Sequence, residues 1–277
     1  MLRSWPQLLR PWVPNLGLRI PHVEERKRLA VRCREHLGLI VRGAKAYEAQ
    51  YVEALRKIIK QDQTVFDIGA NIGFYSVLFS GWVGPNGRVI AYEPDPDNLK
   101  LLRRNLELNN CRNVVVRPVA LAAQSGNEIF SIDPVTHMTG HLGAGATYAA
   151  TIFGNSKENL ISVPTSTLDE EVTRFGAPDI IKMDIEGGEY DALRGGAALL
   201  QTDRPIIVSE MNTWGAQTAL DDAAPRQPAT LLSEHNYSLW NLDSGLEAGP
   251  DSIPWMVIAT PKEMDSASRR DATAANA

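Results

Sequence analysis

The sequence predicts an α/β fold built on a doubly wound, mostly parallel sheet. Three observations lead there. From about Asp62 onward, short apolar runs alternate with amphipathic stretches of helical length. Gly, Pro and Asn mark the junctions between them. Acids stand at the ends of the apolar runs, where an open sheet of this kind holds its ligands.

The elements follow in order. TVFDIG is a buried strand that ends in Gly, and NIGFYSVLFSGW has the length of a helix. VGPNG is a turn, and RVIAYEP is the second strand. DPDNLKLLRRNLELNN is an amphipathic helix with Leu99, Leu102, Leu106 and Leu108 near one face and acids at its start. VVVRPVAL is a third strand. NEIFSID and NLISVPTSTLD then read as two strands of a β insert at about 125–167, flanking a Gly/Thr/His-rich stretch (134–157), uncharged as far as Ser156, expected to act as a lid over the acceptor. The alternation resumes with helix LDEEVTRFG, strand DIIKMDIEG, helix EYDALRGGAALL and strand RPIIVSEMN, and YSLWNL and PWMVIAT close the sheet. This organisation reads as an N-terminal basic helical extension (1–60), a domain over 61–261, and a small polar, disordered tail (262–277).

Composition narrows the function. The formal net charge of −5 argues against nucleic acid as the main partner. The charge is uneven: residues 1–60 hold 13 Lys/Arg and 5 Asp/Glu, net +8, and the remainder holds 15 and 28, net −13. The basic run at 26–34 reads as a solvated helix face, with peripheral contact to a membrane surface or an anionic partner as the alternative. The longest uncharged runs, Ile68 to Gly87 and Pro134 to Ser156, are too rich in Gly, Asn and Thr to cross a bilayer. Three arginines and four prolines in the first 21 residues break any signal-peptide core. Two cysteines, Cys33 and Cys111, cannot build a disulfide framework, which points to a reducing, cytoplasmic compartment.

The first chemical signal is VFDIGANIGFYS. Asp67 ends a strand, and Gly69 and Gly73 frame a turn in which the backbone can pass close to a ligand. Glu93 ends the next strand, the place from which an acid faces ribose hydroxyls. The glycine spacing departs from the G-x-G-x-x-G of dinucleotide sites, and Phe74 and Tyr75 occupy the helix start where a pyrophosphate needs open N–H groups. S-adenosylmethionine has no phosphate, and Asp67 can sit near its ammonium or sulfonium, so the turn favours it over NAD.

VFDIGANIGFYS, AYEPDPDNLKLLRRNLELN and PDIIKMDIEGGEYDALRGG together resemble the FkbM family of S-adenosylmethionine-dependent methyltransferases, from about Val65 to Met211. The resemblance implies a class I, Rossmann-like methyltransferase fold and methylation of a hydroxyl on a sugar, glycolipid or polyketide-type natural product. The expected cofactor residues are Asp67, Gly69, Asn71, Gly73, Glu93 and Ala120. At the second motif, Asp184, Glu186 and Glu189 are expected to cluster near the methyl group, with Lys182 neutralising one of them. Deprotonating an alcohol needs a base or a metal. Asp184, Glu186, His137 and His141 are the candidate bases, and Asp184, Glu210 and Asn212 are a possible divalent-metal set. The bland alternative is an acid cluster that answers a helix dipole. Rival functions are a nicotinamide oxidoreductase, a non-catalytic scaffold on the same fold, and protein or nitrogen methylation, for which the N-P-P-Y type tetrapeptide is missing.

Overall fold

The computed structural model describes residues 16–22, 26–44, 46–132, 140–143, 159–211, 227–249, 254 and 256–264. Most of the expected tail (265–277), most of the proposed lid, His137 and Asn212 lie outside the described residues; Lys262–Met264, the start of that tail, form a turn in which Glu263 pairs with Arg204.

The N-terminal segment is not the continuous basic helix expected. Strand β1 (Gly17–Pro21) pairs antiparallel with β2 (Arg28–Arg32), followed by the short helix α1 (Leu37–Arg42) and by α2 (Ala49–Ile58). Arginines at both ends of β2 disguise it as a polar helix face, but its centre, Leu29, Ala30 and Val31, is buried. The amphipathic period of α2 places Tyr51, Val52, Leu55 and Ile58 on one face. They share a core with Leu78, Phe79 and Trp82, so this segment is built onto the sheet domain.

β3 (Thr64–Ile68) leads into α3 (Phe74–Val83), β4 (Arg88–Tyr92) into α4 (Pro96–Leu108), and β5 (Val114–Arg117) follows. Asp95 caps α4 by accepting from the N–H groups of Asp97 (2.7 Å) and Asn98 (3.3 Å), and Pro96 sits where no N–H is needed. The buried face of α4 is Asn98, Leu99, Leu102, Asn105 and Leu106, with Leu108 only half-buried. The amides explain the difference. Asn105 accepts from the Ala30 N–H (2.6 Å) and donates to the Ala30 and Ile72 carbonyls (3.1 and 2.8 Å). One turn on, Asn109 pairs likewise with Arg28 (3.0 and 2.7 Å). The two amides act as a strand along the free edge of β2, and Asn105 satisfies the backbone groups of Ala30 that burial would otherwise orphan.

The expected third strand breaks at Pro118, which lacks the N–H a ladder requires. Its second part, β6 (Ala120–Leu121), joins a separate sheet with β7 (Gly126–Ile132), β8 (Gly140–Leu142) and β9 (Leu160–Ser166), ordered β6-β9-β7-β8. Helix α5 (Leu168–Phe175), capped by Thr167, precedes β10 (Ile180–Met183). The next expected helix is two, α6 (Glu189–Arg194) and α7 (Ala197–Thr202), split at Gly195–Gly196 where helix propensity is poorest. β11 (Ile206–Glu210), α8 (Gln227–Glu234), β12 (Tyr237–Asn241), β13 (Glu247–Ala248) and β14 (Met256–Pro261) complete the chain. The central sheet has the order β13-β12-β14-β11-β10-β3-β4-β5. From β5 to β11 every pairing is parallel, and the last three strands join antiparallel. The strand order reverses between β3 and β10, so their carboxyl ends form the crevice.

Candidate active site

The chain leaves β3 through Gly69–Asn71. The N–H groups of Gly69 and Ala70 both donate to the Tyr92 carbonyl (3.0 and 2.9 Å), tying the turn to the end of β4. Gly69 has φ +77°, and a Cβ there would stand 1.9 Å from the Asp184 carbonyl oxygen. Only glycine lets the turn after β3 lie against the one after β10. Glu93, buried, grips the same turn. Its Oε2 accepts from the Asn71 N–H (2.8 Å) and its Oε1 from the Asp95 N–H (2.9 Å). Burial, opposed by these bonds, pushes the carboxyl up to about 7.

A cavity of about 310 Å³ opens at these strand ends, within the range of small-molecule sites. Gly69, Asn71, Glu93 and Ala120 line it from the first motif, and Lys182, Asp184, Glu186 and Glu210 from the second. Lys182 is the hub of the second group. Its Nζ lies 3.7 Å from Asp67 Oδ1, 3.6 Å from Asp184 Oδ2, 3.3 Å from the Gly69 carbonyl and 5.1 Å above the Tyr75 ring. Burial alone would lower its pKa, but Asp184, Asp67, Glu48 and Glu210 together raise it, so Lys182 stays charged. Glu210 goes the other way: desolvation, then the charges of Asp184, Glu186 and Glu48, push it well above the carboxylate range.

The structure redistributes several expected roles. Asp67 is fully buried and does not line the cavity; it accepts from Ser76 Oγ (2.5 Å) and pairs with Lys182. Gly73 also lies off the cavity. Its φ is +87°, and a Cβ would meet Leu102 Cδ1 at 2.6 Å, so it permits α4 to pack on the start of α3. Glu189 is buried away from the cavity, where Ile185 N–H donates to its Oε1 (3.2 Å). His141 reaches the second motif, with Nδ1 3.0 Å from the Glu186 carbonyl, but its strand neighbours Gly140 and Leu142 line the cavity in its place, as strand alternation requires. Asp184 and Glu210, two of the possible metal ligands, line the cavity together. Among the described residues no three His, Cys, Asp or Glu side chains are grouped to hold a metal.

Residues that no motif signalled complete the wall: His36, Tyr47 and Glu48 from the N-terminal segment. Glu48 has φ +49° and accepts from the Tyr75 hydroxyl at 2.5 Å. Nothing in the run AKAYEAQ distinguishes it from a solvated helix start.

These residues fit S-adenosylmethionine. Each Glu93 oxygen keeps lone-pair capacity for a ribose hydroxyl after accepting its backbone N–H. Val119, Ala120 and Leu121 offer an apolar edge for a purine, and the acids around Lys182 suit a cationic sulfur. Fold and site together define a class I, Rossmann-like methyltransferase dependent on S-adenosylmethionine. The family model for the methyltransferase FkbM domain matches residues 67–239, and the chain belongs to that family. It is 26% identical over 193 residues to the hexuronic acid methyltransferase AglP of Haloferax volcanii, covering 69% of this chain and 70% of that protein. It is 24% identical over 156 residues to methyltransferase 1 of Beauveria bassiana, covering 48% of this chain and 58% of that protein. A solved FkbM methyltransferase from Methylobacillus flagellatus aligns at 18% identity and a TM-score of 0.47, over 93% of this chain and 59% of its own. Family membership sets aside the nicotinamide oxidoreductase. No helix among the described residues is long and apolar enough to cross a membrane.

Proposed function

We propose that the chain is an O-methyltransferase acting on a hydroxyl of a sugar, glycolipid or polyketide-type natural product. One observation carries the reading: a single cavity joins the Gly69–Asn71 turn and Glu93 to the acids Asp184, Glu186 and Glu210. S-adenosylmethionine, when bound, supplies a methyl group on a positively charged sulfur. The chain must then hold an acceptor oxygen in line with that group, a positioning effect worth about 7–11 kcal/mol. Gly69, Asn71, Glu93 and Ala120 bind and orient the cofactor. Asp184 or Glu186 takes the proton of the acceptor hydroxyl, and Lys182, fixed by Asp67, holds Asp184 in place. The sugar class is supported by the name of the Haloferax volcanii relative. Two free cysteines support a reaction in the cytoplasm. The test is transfer of labelled methyl across sugars, neutral and acidic, glycolipids and polyketides. Label on a hydroxyl of any one class supports the reading, and no transfer to any of them refutes it.

A further inference from the structure

The electrostatics of the cavity narrow the acceptor, on the reading that the chain is an O-methyltransferase. Glu48, Asp184, Glu186 and Glu210 face the same space; the charge of Asp184 acts on Glu48, and those of Asp184, Glu186 and Glu48 act on Glu210. Among the described lining residues the counterweight is Lys182, whose buried ammonium is already held by Asp67, Asp184 and the Gly69 carbonyl. Its charge is already shared between two carboxylates.

Glu48 is the member of this group that lies outside the residues matched by the family model. It is exposed as a residue, but its carboxylate lies in the cavity wall beside Tyr47, where the Tyr75 hydroxyl fixes one of its oxygens. Its backbone is in the left-handed region, uncommon for a residue other than Gly, Asn or Asp. Among the described residues only two glutamates adopt it, Glu48 and Glu186, and both line the cavity. Local backbone strain of this kind gathers where a side chain must be aimed.

We propose that Glu48 is the residue that reads the acceptor: it accepts a hydrogen bond from a hydroxyl of a neutral polyhydroxylated group and disfavours one that bears a carboxylate. A hydroxyl donates to a carboxylate at little desolvation cost, and the Tyr47 ring beside it offers an apolar face for the carbons of a sugar ring. A second carboxylate would meet a like charge, and among the described lining residues the one lysine, Lys182, is already paired. Crowding already lifts Glu48 above the ordinary carboxylate range, through burial first and then the charge of Asp184.

The test uses methyl glucoside and methyl glucuronoside, which differ by one carboxylate, with labelled cofactor and the full chain. The wild type is expected to methylate the glucoside with a KM about tenfold or more below that for the glucuronoside. Glu48→Gln keeps an oxygen for Tyr75. It should raise the glucoside KM about tenfold, narrow the discrimination and leave cofactor affinity unchanged. Glu48→Asp, which keeps the charge, should restore the discrimination. Equal use of both glycosides, an unchanged ratio in Glu48→Gln, or transfer to polyketides and to neither glycoside would each overturn the proposal. Sugar methylation with identical profiles in both chains sinks only the role of Glu48; a chain that methylates no acceptor of any class sinks the O-methyltransferase reading with it.

Discussion

Replacing Glu93 tests whether one carboxylate holds both the glycine turn and the cofactor. In Glu93→Ala the N–H groups of Asn71 and Asp95 lose their acceptor. Each orphaned donor costs about 1–3 kcal/mol, with half-buried Asn71 at the low end and buried Asp95 at the high end. Together they remove roughly 2–5 kcal/mol of stability, a large share of the 5–15 kcal/mol typical of a domain. Glu93→Gln is milder, because the amide oxygen still serves one N–H. It isolates the ribose contact, whose loss should weaken S-adenosylmethionine by about tenfold to a hundredfold, from roughly 1.5–3 kcal/mol. The carboxyl also sets a pH dependence. Its folded pKa is raised from 4.5 to about 7, so its contribution to the cofactor-free fold is fully present below 4.5 and is lost as pH rises through about 7. Cofactor binding favours the ionised form and runs the other way, strengthening up to about tenfold between about pH 6 and about pH 8. Calorimetric titration at the two pH values, with thermal melting of the cofactor-free chain, reads all three effects. A Glu93→Gln chain that binds the cofactor like the wild type, with the same pH profile, would refute the assignment.

Three further outcomes are expected. Gly69→Ala forces a Cβ against the Asp184 carbonyl at a positive φ, so both motifs must shift; binding should be lost together with a lowered melting temperature, and normal binding would show that the turn is not rigid. Lys182→Met leaves Asp67 buried without its countercharge, costing about 3–5 kcal/mol in a melting experiment; Asp67→Asn in the same chain should recover part of it, and an unchanged melting temperature would contradict the hub. Asp184→Asn should slow transfer by about 10²–10⁴ with EDTA having no effect on the wild type; loss of activity in EDTA that magnesium restores would favour a metal held by Asp184 and Glu210.

Much of the sheet was legible because parallel strands buried on both faces read as continuous apolar runs, and Gly69, Asn71, Glu93 and Asp184 stand at their ends. What sequence patterns hide is direction. Strand alternation turns Asp67 away from the cavity, where it orients Lys182, and turns His141 toward a backbone carbonyl. Gly73 carries the same residue type as Gly69 but answers to Leu102. The hairpin at Gly17–Arg32 has no local signature because its stabilising partners, Asn105 and Asn109, lie some 75 to 81 residues away. Glu48 gave no local sign, since only the tertiary fold carries it to the second motif.

The most direct test is the chemistry of the bond formed. Labelled methyl transferred from S-adenosylmethionine to a purified acceptor should appear as an ether, stable to mild base, and should form about 10²–10⁴ times more slowly in Asp184→Asn. A base-labile methyl ester, or label on nitrogen, would contradict hydroxyl methylation at this site.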